Sequence, residues 1–220
     1  MANEFGLITI DQPLSAASEA YRTLRLNLQF ASLDKPLHTL LVSSAGPDEG
    51  KTTALVNLAV TMAHAEQRVI VVDCDLRRPQ VHLFFGLDNT QGLTNALLDE
   101  RSIEQPALQA TAVDNLRILA SGPLPPRPAD LLGSQRMIAL IANLTAQADV
   151  VLFDAPPIMT ATDAAILATR LDGVLLVVSA GQTRREDATL SVERLQKVNA
   201  HLVGTVLNNA ELSAPSAVYR

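Results

Sequence analysis

The chain has 220 residues, 48% of them hydrophobic and 18% charged, enough for one soluble domain with a sizeable core. Its formal net charge of −6 argues against non-specific nucleic-acid binding, and no apolar run approaches the ~20 residues that span a bilayer. The opening stretch, "MANEFGLITIDQPLS", lacks the basic-then-apolar plan of an export signal, and the single cysteine, Cys74, allows no internal disulfide; a cytoplasmic protein is expected.

Along the chain, strand-like apolar runs alternate with helix-like segments. Residues 1–35 form an N-terminal segment with a helix expected over 17–31, which Ser15 or Ser18 can cap. "TLLVSS" (39–44) reads as a strand, followed by a helix over 51–65 and a second strand, "RVIVVDC" (68–74). A helix over 91–99 leads to the strand "NLRILAS" (115–121), and a long helix over 128–147 leads to "DVVLFDA" (149–155). A helix over 162–169, the strand "GVLLVVSA" (173–180), a helix over 185–199 and the strand "LVGTVLN" (202–208) complete the series. Asp130 and Asp163 fall in first turns, where an acid suits the helix dipole. The tail over 209–220 is polar and rich in small residues, and is expected to be flexible.

The strand runs are nearly unbroken Val, Ile and Leu rather than alternating, as strands buried on both faces of a parallel sheet read. Together with the alternation this predicts a single α/β domain, a doubly wound, mostly parallel sheet with helices on both faces. Ligands of such sheets bind outside the carboxyl ends of the strands. The chemistry-bearing residues are therefore sought where strand runs stop.

The first strand runs into "SSAGPDEGKTT" (43–53). Ala45, four intervening residues, Gly50, Lys51 and Thr52 fit a phosphate-binding loop of the P-loop NTPase type, with Ala in place of the usual first Gly. Glycines let backbone N–H groups turn inward on phosphate oxygens, and the following helix adds its positive end. Lys51 is the candidate for the β- and γ-phosphates and Thr52 for Mg²⁺. Two further strand ends carry acids. Asp73 and Asp75 close the second strand and, two apart in an extended chain, are expected to face one site. Asp154, at the end of "VVLFD", matches the acid that holds Mg²⁺ opposite the loop threonine.

These elements in combination resemble the bacterial tyrosine-kinase family, relatives of the ParA/MinD-type partitioning ATPases. The likeness runs through "SEAYRTLRLNLQF" (18–30), the loop, "VVDCDLRRP" (71–79), "SGPLPPRPADLLGS" (121–134), "DAPPIMTATDA" (154–164) and "DGVLLVVSAGQT" (172–183). The resemblance implies an ATP- and Mg²⁺-dependent protein-tyrosine kinase that serves capsular and exopolysaccharide synthesis and export. It assigns Gly46, Pro47, Asp48, Glu49, Gly50, Lys51, Thr52 and Thr53 to the nucleotide, Thr52, Asp75 and Asp154 to the metal, and Lys51, Asp73, Asp75 and Asp154 to catalysis. One of Asp73 and Asp75 is the candidate base for the tyrosine hydroxyl. Asn208, at the end of the last strand, is the candidate for adenine. Asp48 departs from the family's Gly, and a carboxylate beside a triphosphate is unfavourable unless it points outward.

Glu19, Arg22 and Arg25 recur at spacing three, share a helix face, and resemble the family's oligomerisation motif, which implies a homo-oligomeric ring. Tyr219 is the one tyrosine in the tail, where the family carries a cluster. It is the candidate phosphoacceptor, alone or as the first of several, unless the protein does not phosphorylate itself. The start at Met1 resembles the stand-alone cytoplasmic form, which implies recruitment to the inner face of the plasma membrane by a separate membrane-anchored activator, a polysaccharide co-polymerase. The alternative is a ParA/MinD-like ATPase switch without tyrosine phosphorylation. The four histidines lack metal-ligand spacing, and Cys74 is expected in the core.

Overall fold

In the computed structural model, which describes residues 5–33 and 35–211, seven strands form one sheet in the order β3-β4-β2-β5-β1-β6-β7. The elements in chain order are α1 (Ile8–Asp11), α2 (Ala16–Ala31), β1 (Thr39–Ser44), α3 (Lys51–Ala63), β2 (Val69–Asp73), α4 (Val81–Phe85), α5 (Leu93–Leu98) and α6 (Glu100–Glu104). There follow β3 (Gln109–Ala110), β4 (Leu116–Leu119), α7 (Pro128–Leu132), α8 (Gln135–Gln147), β5 (Val150–Asp154), α9 (Asp163–Ala168), β6 (Gly173–Ser179), α10 (Arg185–Lys197) and β7 (Leu202–Asn208). All strand pairs are parallel except β3–β4, a two-residue antiparallel edge.

The unbroken apolar runs divide cleanly between two cores because successive side chains point to opposite faces. On one face Leu41, Ile70, Val72, Val151, Phe153, Val174 and Leu176 pack against residues of α5, α8 and α9. On the other, Leu40, Val42, Val69, Val71, Val150, Leu152, Leu175 and Val177 pack against α3. α3 is itself buried on nearly every side, covered by the sheet beneath and by α1 and α2 above, which is why its sequence shows little amphipathic pattern. Its buried Asn57 is satisfied by this layering. The amide oxygen accepts from the N–H and hydroxyl of Thr9 at 3.1 and 2.8 Å, and the amide nitrogen donates to the Thr53 carbonyl at 2.9 Å.

Between the two serines proposed for the first cap, the structure selects Ser15, whose hydroxyl accepts from the Ser18 N–H at 3.2 Å. Ser18 instead donates to the carbonyls of Ile8 and Gln12, tying α2 to α1. The helix expected over 128–147 is two helices. Gly133 caps α7, and Ser134 starts α8 by accepting from the Met137 N–H at 3.3 Å. α1, α4, α6 and β3 carry no long periodic signal and have no counterpart among the expected elements. No described helix is long and apolar enough to cross a membrane.

Candidate active site

The central position of β1, between β5 and β6, delivers its carboxyl end into the middle of the sheet's upper rim. There the chain turns through the loop and enters α3 at Lys51. The turn needs two left-handed residues, Asp48 at φ 58° and Gly50 at φ 82°. Gly50 also admits a close neighbour, since a Cβ there would lie 2.0 Å from the Asn208 amide nitrogen. The loop is held from both sides. Asn208 donates to the Glu49 carbonyl at 3.0 Å, Gln182 donates to the Pro47 carbonyl at 3.3 Å, and Thr183 donates to the buried Glu49 carboxylate at 2.6 Å. Ser44 Oγ donates to the Gly46 carbonyl at 2.7 Å. Beside it, the segment after β5 donates from Ile158 and Met159 to the carbonyls of Ser44 and Ala45.

This frame opens onto a cleft of about 250 Å³ lined by Pro47, Asp48, Gly50, Lys51, Thr52, Thr53, Asp75, Arg78, Gln80 and Pro157. At its floor the Lys51 ammonium lies 2.9 Å from Asp75 and 3.5 Å from Asp154, and the Thr52 hydroxyl donates to Asp154 Oδ2 at 2.7 Å. Burial alone would lower Lys51, but Asp154 and Asp75 outweigh it and hold the ammonium above its ordinary pKa, hence charged at neutral pH. Burial pushes Asp154 up, against the pull of Lys51 and Thr52. Its Oδ1 is buried with no hydrogen-bond partner. Such an orphaned carboxylate oxygen next to a threonine hydroxyl is hard-oxygen chemistry, and suits Mg²⁺ better than a soft metal. No group of three or more His, Cys, Asp or Glu side chains able to hold a metal occurs among the described residues. Mg²⁺ commonly uses one or two protein oxygens and takes the rest from phosphates and water, so the residues present fit it.

Asp73 and Asp75 part company. β2 ends at Asp73, so the two-residue repeat that would align their side chains stops there. Asp75 reaches the cleft, whereas the fully buried Asp73 turns into the following segment and accepts from the N–H groups of Asp75, Gln80 and Val81. Burial and the neighbouring Asp154, its partner across β2–β5, push Asp73 up to about 8, while these N–H donors favour its ionised form. Asn208 does not line the cleft; it supports the loop from behind. Glu49 likewise lies under the loop, and Gly46 is not among the lining residues. Glu19 and Arg22 form an exposed pair at 2.8 Å on α2, away from the cleft, and Arg25 lies near the opposite end of the sheet beside Asp149 and Val150. Tyr219 and most of the tail lie outside the described residues.

Three features went unread in the sequence. Thr183 and Gln182 strap the loop, yet stand about 130 residues from it; the hydrogen-bonded pairs are separated by 134 and 135 positions. Arg77 makes a two-pronged pair with the fully buried Asp163 at 2.8 and 3.1 Å, joining the segment after β2 to α9. Arg78 and Gln80 enter the cleft. The "LRRP" run was visible, but nothing local tells which of two adjacent arginines turns inward.

An AAA-domain family model matches residues 48–207. The tyrosine-protein kinase YwqD of Bacillus subtilis (strain 168) is 44% identical over 210 residues, which is 96% of this chain and 88% of that protein. The chain belongs to the bacterial tyrosine-protein kinases. It is an enzyme of the protein-tyrosine kinase class, built on a nucleotide-binding P-loop domain. The kinase domain of the Escherichia coli tyrosine kinase ETK superposes with a TM-score of 0.89 at 31% identity, covering 96% of this chain and 83% of that one. The cell-division ATPase MinD of Pyrococcus furiosus superposes less closely, at a TM-score of 0.66 and 25% identity over 77% of this chain and 71% of that one. The kinase thus shares its sheet with the partitioning ATPases.

Proposed function

We propose that this kinase transfers the γ-phosphoryl group of ATP to tyrosine hydroxyls on the tails of neighbouring subunits, Tyr219 among them, in the control of capsular and exopolysaccharide synthesis and export. The observation that carries the reading is the convergence of Lys51, Thr52, Asp75 and Asp154 at the floor of one cleft. The loop backbone around Gly46–Thr53 and the N-terminus of α3 receive the phosphates. Lys51 exchanges its contacts with Asp75 and Asp154 for the β- and γ-phosphate oxygens. Thr52 and Asp154 would hold Mg²⁺, which when bound neutralises charge on the terminal phosphates, and Asp75 would join them only in the state in which it is not serving as base. Asp75 lines the cleft and is the better placed of the two acids to take the proton of a phenol whose pKa is ~10. Asp73 acts behind it, fixing the segment from which Asp75 projects. Asn208 serves the nucleotide through the loop it supports.

The Glu19, Arg22 and Arg25 face of α2 joins subunits into a ring in this reading, so that one subunit's tail reaches the next subunit's cleft. A membrane-anchored activator recruits the cytoplasmic kinase to the inner face of the plasma membrane. No nucleic acid takes part. The experiment is intact-mass measurement after incubation with Mg²⁺-ATP, with and without a tyrosine-rich peptide, beside Lys51→Met. A Lys51-dependent phosphate mapped to tyrosine, on Tyr219 or on the peptide, is expected. ATP hydrolysis with no phosphotyrosine on either would replace this reading with a ParA/MinD-like switch.

A further inference from the structure

Two cationic side chains line the cleft among the described residues, Lys51 and Arg78. Against them stand the carboxylates of Asp48 and Asp75 on the lining and of Asp154 just beneath. A nucleoside triphosphate adds further negative charge, and Lys51 is already shared between two acids. Even with Mg²⁺ bound, three carboxylates and a triphosphate leave the cleft net negative, so a further cation is stabilising there.

Arg78 is placed to supply it. Its backbone is fixed, because its N–H donates at 3.0 Å to Asp75 Oδ1, the carboxylate whose other oxygen meets Lys51 at 2.9 Å. The surrounding turn is fixed as well, with the N–H groups of Asp75, Arg77, Gln80 and Val81 all donating to Asp73 or Asp75. The side chain, by contrast, is uncommitted. No acid lies within ion-pair distance of its guanidinium among the described residues. The adjacent Arg77 is fully engaged by Asp163 on the other side of the turn. One arginine therefore anchors the turn, and the other is an exposed planar donor fork held over the cleft on a rigid base.

We propose that Arg78 is a catalytic residue, its guanidinium meeting the equatorial oxygens of the transferred phosphoryl group as charge redistributes over them. In that transfer the tyrosine oxygen bonds to the γ-phosphorus and the bond to the β–γ bridging oxygen breaks. ADP leaves with the electron pair, and the phenolic proton passes to a cleft carboxylate. The inference rests on the nucleotide site proposed above, and its test separates the two. A positively charged group that acts chiefly on the transition state raises kcat more than it tightens substrate binding.

The test measures binding of Mg²⁺-ADP alone and of Mg²⁺-ADP with aluminium fluoride, a planar mimic of the group in flight, to wild type, Arg78→Gln, Arg78→Lys and Lys51→Met. Arg78→Gln is expected to bind ADP within about twofold of wild type but the aluminium fluoride complex about 10²-fold more weakly. Its kcat on a tyrosine-rich peptide should fall by a similar factor, with KM for ATP changed less than about threefold. Arg78→Lys should recover part of both losses, because it keeps the charge but not the fork. Equal weakening of both ligands, or no change in either, overturns the role of Arg78 while leaving the site intact. Wild type that binds neither ligand overturns the site and this role together, and Lys51→Met retaining both at wild-type strength overturns the site assignment on which the role depends.

Discussion

Asp48 occupies a backbone conformation, φ 58°, that costs an ordinary L-residue roughly 1–2 kcal/mol and an aspartate less. It also adds a carboxylate to a cleft whose ligand is polyanionic. Both effects point the same way. Asp48→Gly is expected to leave the melting temperature unchanged or slightly raised, and to tighten nucleotide binding by a few-fold at low salt. Equilibrium titration with ATP at two ionic strengths checks this, and the gain should shrink as salt rises. The same residue shows how the sequence speaks unevenly. The pattern around Gly50, Lys51 and Thr52 identifies a phosphate loop because the chemistry is local. The left-handed conformation of Asp48 falls where the family carries Gly, the residue that adopts it at least cost. Asp73 misleads by the same logic, since the face it shares with Asp75 exists only while the strand lasts, and the strand ends on Asp73 itself.

Among the elements, β1 and β7 coincide with the strands expected over 39–44 and 202–208, but only β1 is buried on both faces as its run implies; β7 is the edge of the sheet and stays half-buried or exposed along its length. The break within 128–147 has a local signal, Gly133 followed by the Ser134 N-cap inside an otherwise helical run, and a distant side chain completes it. The Arg170 guanidinium donates to the carbonyls of Leu132 and Ser134 at 3.1 and 2.7 Å and also to that of Gly133. These are the carbonyls that a helix end leaves unpaired. Arg170→Ala should therefore destabilise the fold by about 1–3 kcal/mol, read as a lower denaturant midpoint with an unchanged slope. β3 is invisible for a simpler reason, being two residues long and half polar, and exists only because β4 offers an edge.

For the molecule as a whole, the proposed subunit contact makes a demand that the monomer does not. The Glu19–Arg22 pair is exposed and worth about 0.2–0.5 kcal/mol within its helix. Replacing Glu19, Arg22 and Arg25 together with alanine also removes the bond from Arg22 to the Pro13 carbonyl at 2.6 Å, so the melting temperature should fall by no more than about 5 °C. The same change should convert any assembly seen by light scattering to monomers and abolish phosphorylation of the tail in trans. A large loss of stability would mean that the face serves the fold instead. The sheet order carries another consequence. β1 is the first strand made, yet its neighbours are β5 and β6, and the loop it leads into is strapped by residues 134 to 159 positions further on. During synthesis, then, the phosphate loop emerges from the ribosome early but stays unfinished until Asn208 follows it out. A nascent chain halted anywhere before that strand carries the loop and has no full seat for it, so nucleotide capture reports that β7 has joined the sheet.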